Sequence, residues 1–171
     1  MADEIRVEID ATDLDKLLKR FPQYEHIIFE EMEAAMHGSL AIFQEQVQGR
    51  TPVGVSGDLR KSIAPVVRGT PPNFVGELAT PLLYGIVVER GRQPGSQPPS
   101  SALELWVRRK LGVAEDEVEQ VAYLVARAIG RTPAPGVFMF EQGFEAGQSS
   151  VIKLWNSVVD KATRRIEATR L

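Results

Sequence analysis

The chain contains no cysteine. Disulfides, thiolate metal sites and a cysteine nucleophile are therefore excluded, which suits a reducing cytosol. Histidine is nearly as scarce: only His26 and His37 occur, eleven residues apart on one expected helix. That separation is about three turns, or ~16 Å, so the two rings cannot hold one metal ion. They read as two surface or boundary histidines. No HExxH, GxSxG or phosphate-loop spacing is present. Gly54, Gly57, Gly69 and Gly76 follow no phosphate-binding pattern. Glu30 and Glu31 are neighbours and point about 100° apart on a helix, so they form no carboxylate pair. Glu115, Asp116, Glu117 and Glu119 cluster at a helix start, where they complement the dipole. No apolar run approaches the ~20 residues of a membrane span. The opening MADEIRVEID lacks the basic and apolar regions of a signal peptide. With 20 basic against 23 acidic residues the net charge is -3, so bulk charge does not make the chain a nucleic-acid binder. These absences predict a soluble, intracellularly made, non-enzymatic protein with no cofactor and no metal.

What is present is an ordinary globular composition. At 171 residues one domain is expected, large enough to bury a core without staples. Ile5, Val7 and Ile9 alternate with charged residues, the pattern of a short strand with one buried face. Thr12 and Asp15 resemble a capping box for a short helix carrying Leu14, Leu17, Leu18 and Phe21, which Pro22 breaks. Residues 23–49 then predict a long helix with Ile28, Met32, Ala35, Ser39, Phe43 and Val47 along one stripe. Gly49 and Pro52 end it.

Ser56 is placed to cap a short helical turn carrying Leu59 and Ile63. Residues 63–68 and 73–79 are β-prone, and Gly69-Thr70-Pro71-Pro72 between them predicts a hairpin. Residues 82–91 fit a strand or a short helix. Residues 91–101 hold three prolines, two glycines and three serines, a flexible loop that a partner could order. Ser101 and Glu104 suggest a capping box for a helix ending at Gly112. A second helix carries Val118, Val121, Ala122, Val125, Ala128 and Ile129 on one face. GVFMF reads as a strand, and the last helix is expected from about 145 to 169 with Val151, Leu154, Trp155, Val158, Ala162 and Ile166 inward. The sum is an α+β fold: long N-terminal and C-terminal helices on a small antiparallel sheet, with an inserted helical pair.

Three segments carry a resemblance. Thr51-Pro52-Val53 followed by Gly57-Asp58-Leu59-Arg60-Lys61-Ser62-Ile63 resembles the TPVDTGxLRxSI segment of the tailed-phage neck, or minor tail component, family of lambdoid siphophage type. Leu83-Tyr84-Gly85-Ile86-Val87-Val88-Glu89-Arg90-Gly91 is similar to its YAxYVExGT. Pro135-Gly136-Val137-Phe138-Met139-Phe140, continuing to Phe144-Glu145, is similar to its RPFLxPAxE. The order of the segments and the preceding long helix also match, over roughly residues 20–170. The first segment is one residue longer than the family pattern, Arg92 stands where threonine is usual, and Gly136-Val137 replaces Arg-Pro.

The resemblance implies a structural virion protein for tail completion and head-to-tail joining. It would be made in the host cytoplasm and assembled as a homo-oligomeric ring between head connector and tail tube. The implied partners are the tail terminator and head-closure or connector proteins; no membrane is involved, and DNA is met only as it passes through the channel. Candidate subunit or partner contacts are Arg60, Glu89, Arg92, Gln93, Trp106, Trp155 and the C-terminal helix. An Arg60–Glu89 ion pair is possible on this reading, and the loop at 91–101 is the candidate docking arm. Arg108, Arg109, Arg127 and Arg131 are the candidate DNA-facing residues. They also support the competing reading, a cytosolic nucleic-acid-binding regulator.

Overall fold

The computed structural model describes residues 22–95 and 97–169, together with Lys16 and Lys19. The expected first strand and the short helix before Pro22 lie outside the described residues. The elements in chain order are a 3-10 turn at Pro22–Tyr24, α1 (Glu25–Arg50), α2 (Asp58–Ser62), β1 (Ala64–Thr70) and β2 (Asn73–Ala79). There follow α3 (Tyr84–Arg90), β3 (Gly91–Arg92), a 3-10 turn at Ser100–Leu103, α4 (Glu104–Leu111) and a 3-10 turn at Glu115–Glu117. The chain continues through α5 (Val118–Arg131), β4 (Ala134–Pro135) and α6 (Met139–Thr169). The fold is α+β, and among the described residues the strands form two antiparallel pairs, β1-β2 and β3-β4. The chain forms two compact units.

The first unit holds α1, the hairpin and α6. All six stripe residues expected on α1 are buried, joined by Ile27 and Leu40. Of these, Ile27, Ile28, Met32, Ala35 and Phe43 meet Val151, Trp155, Val158, Ala162 and Ile166 of α6 in one core cluster. Helix α6 begins six residues before the expected start, and GVFMF is not a strand. The buried row of α6 runs Met139, Gly143, Gly147, Val151, Trp155 at helical spacing. Two of its members are glycines, so the apolar signal faded where the helix in fact begins.

Those glycines let the two helices approach closely. A Cβ on Gly143 would lie 2.5 Å from Val47 Cγ2 and 2.9 Å from the Val47 Cα. One on Gly147 would lie 2.7 Å from Phe43 Cδ1. Phe43 also packs on Phe144, ring centroids 4.5 Å apart. Deeper in the core, the indole N–H of Trp155 donates to Ser39 Oγ at 2.9 Å, and Ser39 donates to the Ala35 carbonyl at 2.7 Å. Both groups are thereby satisfied although both residues are buried. At the surface Arg165 of α6 bridges Glu30 (2.6 Å) and Glu31 (2.8 Å) of α1. This pairing holds the Glu30 carboxyl below its ordinary range and raises the Arg165 guanidinium.

The hairpin pairs Ala64 with Ala79 through to Thr70 with Asn73, leaving a two-residue turn whose Pro71–Pro72 bond is cis. Phe74 and Leu78 pack onto the helical core. Gly76, between them, sits over Met36 and Leu40. Gln44 and Gln48 of α1 donate to the Ile63 carbonyl at 2.8 and 3.2 Å and fix the start of β1.

The second unit comprises residues 51–62 and 80–138. Its helical pair has a small core of its own: Val107, Val118 and Ala122, with Leu103, Val113, Val121 and Val125 against it. On α5 the third buried residue is Ala126, whereas Ala128, expected inside, is exposed. Val118, Ala122 and Ala126 are each four apart, a stricter row than the broader face read from the sequence. The expected Ser101–Glu104 capping box does not form. A 3-10 turn occupies 100–103, and Leu103 stands at the cap without a side-chain bond.

Candidate functional site

Residues 51–62, 83–91 and 135–138, the second-unit parts of the three resembling segments, form one cluster. The first begins with Thr51, buried beneath the guanidinium of Arg60, which donates to the Thr51 carbonyl from Nη2 (2.8 Å) and Nε (3.2 Å). Gly57 takes the left-handed conformation (φ 71°) that turns the chain into α2, and its carbonyl accepts the Lys61 N–H. The Ser56 carbonyl accepts Lys61 Nζ at 3.2 Å. Leu59 of α2 is buried.

Helix α3 settles the ambiguity of residues 82–91 and presses on α2. Its Gly85 is buried, and a Cβ there would lie 2.9 Å from Thr80 Cγ2 and 3.3 Å from Leu59 Cδ1. The hydroxyls of Ser62 and Thr80 are 2.7 Å apart, and Thr80 Oγ1 accepts the Leu82 N–H. Burial and the nearby Asp58 carboxylate push the Tyr84 phenol up.

The third segment closes the end of α3. The N–H groups of Val137 and Phe138 donate to the carbonyls of Val88 (2.8 Å) and Glu89 (3.0 Å). Terminal helix carbonyls that would otherwise lack partners are thus satisfied. Beside this, Gly91 pairs with Pro135 and Arg92 with Ala134. Gly91 has φ 78°, and a Cβ on Gly136 would lie 2.5 Å from the Glu89 carbonyl oxygen. Only glycine permits so close a crossing of two backbones. Neither Gly85 nor Gly136 has a local sequence signal for its contact; Gly136 stands out only as a departure from the resembling pattern.

The candidate contact residues separate into distinct roles. Arg60 donates from Nε and Nη2 to the Thr51 carbonyl. Arg92 donates to the carbonyls of Ile129 and Thr132, where a cation complements the C-terminus of α5. The Gly95 N–H donates to the Gly130 carbonyl at 2.9 Å. Arg92 and Gly95 thus fasten the first part of the loop to the end of α5. Gln93 is exposed. Trp155, 8% exposed, is a core residue of the first unit and no surface anchor. Trp106, 38% exposed, remains available on α4.

Arg108 is held by Glu115 at 2.7 Å and Glu104 at 3.6 Å, while Arg109, Arg127 and Arg131 are exposed. His26 and His37 are exposed on α1. Among the described residues no group of three or more histidines or carboxylates could hold a metal, and no helix is long and apolar enough to cross a membrane.

The cluster carries an apolar surface. Leu83, just before α3, is 86% exposed, and on α3 Ile86 is 60% exposed and Val87 is also open. Tyr84, Val53 and Phe138 are exposed on the same three segments. No family model, curated protein or solved structure matches the chain.

Proposed function

We propose that this protein is a structural virion subunit of the tailed-phage neck. It completes the tail and joins it to the head by oligomeric assembly, without catalysis. The observation that carries the reading is the clustering of the three segments that resemble that family. They are scattered along about a hundred residues, yet they cap, pair with and pack on one another. Two glycines that this chain shares with the family pattern serve that cluster: Gly57 turns the chain into α2, and Gly91 permits the close crossing beside β4.

The working surface is the exposed apolar side of α3, with Trp106 as a second contact. Unpaired apolar side chains on a stable helix favour burial against a partner. The partners on this reading are further copies in a ring, the tail terminator and the head-closure or connector proteins. The test uses a phage carrying this gene. Leu83→Glu with Ile86→Glu changes only exposed side chains, so the isolated protein should keep wild-type stability within about 0.5 kcal/mol. Lysates should then contain filled heads and free tails in place of joined particles. Joined, infectious particles from a phage deleted for the whole gene would refute the proposal.

A further inference from the structure

Helix α5 buries one side and leaves the other open. Val118, Ala122 and Ala126 face inward. Away from them stand Glu117, at the cap, and Gln120, Leu124, Arg127 and Arg131, all exposed. Their spacing alternates three and four, the repeat by which one helix meets another. Leu124 is 54% exposed, and Tyr123, flanking the row, is 50% exposed. An aliphatic and an aromatic side chain side by side in the middle of a helix gain by being covered.

Charge is sorted along this row. It starts acidic, with Glu117 in the row and Asp116 and Glu119 beside it. It ends basic, with Arg127 and Arg131. No ion pair among the described residues uses any of these five; the neighbouring Glu115, by contrast, is held by Arg108. The sorting is also symmetric: Glu117 lies seven residues before Leu124, and Arg131 seven after.

We propose that α5 pairs with α5 of a second copy of this chain, antiparallel, about a twofold axis at Leu124. Leu124 then meets its own counterpart, with Tyr123 beside the contact. The acidic end of each helix faces the basic end of the other, so one charge pattern is used twice in a closed, isologous contact. The two helix dipoles oppose one another and add to the attraction. A parallel pair would set acid on acid and base on base. The pattern also favours a protein copy over nucleic acid. Phosphates drawn to Arg127 and Arg131 would meet Asp116, Glu117 and Glu119 at the other end of the same helix.

The row from Glu117 to Arg131 spans only ~21 Å, so the contact is small and belongs to the weak, transient class. Charge sets its orientation, which makes it sensitive to salt. It does not rest on the neck reading, whose working surface is on α3.

Sedimentation equilibrium of the full chain tests the pairing. Wild type should dimerise with a Kd of about 0.1 mM, and about tenfold more weakly when salt is raised from about 0.05 to 0.5 M. Arg127→Glu/Arg131→Glu and Glu117→Arg/Glu119→Arg change only exposed side chains and should each stay monomeric. Mixed in equal amounts they should dimerise to within about threefold of the wild-type Kd. Leu83→Glu/Ile86→Glu should dimerise as wild type does. Because the chain has no native cysteine, single cysteines read the orientation. Leu124→Cys should link two copies on mild oxidation, whereas Arg131→Cys, ~21 Å from its counterpart, should not. Equal linking at both positions would reveal a parallel pair and overturn the proposal. So would a wild type still monomeric at about 1 mM, ten times the expected Kd, or reversed variants that stay monomeric when mixed. Binding of duplex DNA by a wild type that never dimerises would assign Arg127 and Arg131 to nucleic acid and overturn it as well.

Discussion

Replacing Gly143 by alanine should destabilise the protein, although alanine is the better helix former. On helix propensity alone the change gains about 1 kcal/mol. The new methyl group, however, would stand 2.5 Å from Val47 Cγ2 and 2.9 Å from the Val47 Cα and N. The side-chain methyl can rotate, but the backbone of α1 cannot. Relief requires α1 and α6 to separate, loosening the packing around Phe43 and Phe144. Overpacking of this kind costs roughly 1–3 kcal/mol, and the involvement of backbone places it in the upper half. The expected net loss is about 1–2 kcal/mol, or ~2–8 °C for a chain of this size. Gly49→Ala is the internal control. Gly49 lies on the same helix pair, in α1, and nothing lies within 4 Å of an added Cβ. That substitution should be neutral or stabilising by up to about 1 kcal/mol. Urea titrations followed by far-ultraviolet circular dichroism would compare the two. If Gly143→Ala is as stable as Gly49→Ala, the close-packed helix seam described above is wrong.

Ser39→Ala should cost about 1–3 kcal/mol in the same titration, because the Trp155 N–H is left buried without its acceptor. The loss should shrink when Trp155→Phe is already present, and simple additivity would argue against the bond. Gly136→Ala should loosen the contact with Glu89 and Arg90, read as faster amide exchange in residues 84–92; unchanged exchange there would refute the crossing. Arg165→Ala should make stability less sensitive to acid. The Glu30 pKa is depressed in the folded state, so its contribution is present above the ordinary value of 4.5 and is lost as pH falls below it. Wild type and variant should therefore converge on acidification below 4.5, as measured by thermal midpoints across that range; a gap that widens instead would contradict the pairing.

Much of the helical frame was legible because it obeys one rule, burial at helical spacing. The α1 stripe from Ile28 to Val47 and the α6 stripe from Val151 to Ile166 are both visible as periodic apolar residues. The hairpin was legible from turn chemistry at Gly69–Pro72. What failed did so where small residues do the packing. Gly143 and Gly147 carry no hydrophobicity, so the first two turns of α6 were invisible to periodicity. Ala126 and Ala128 are chemically equal, and only the neighbouring helix decides which is inside. The candidate site was half legible: its segments were marked by resemblance, but Gly85 on Leu59 and Gly136 on Glu89 are long-range contacts with no local signature. Arg92 is a candidate contact residue whose bonds to the carbonyls of Ile129 and Thr132 could not be read from its neighbours in sequence, because the helix end lies across the fold.

The pairing of α1 with α6 has a consequence during synthesis. Ser39 and Trp155 are 116 residues apart, and every partner that α6 offers to α1 emerges long after α1 itself. Until then, among the described residues, only the hairpin can cover the apolar stripe of α1. Contacts this distant in sequence form late and slowly, and the waiting surface is open to wrong association. The nascent chain should therefore depend on chaperone protection until α6 is released, and truncation anywhere within α6 should yield aggregates in place of a shortened subunit.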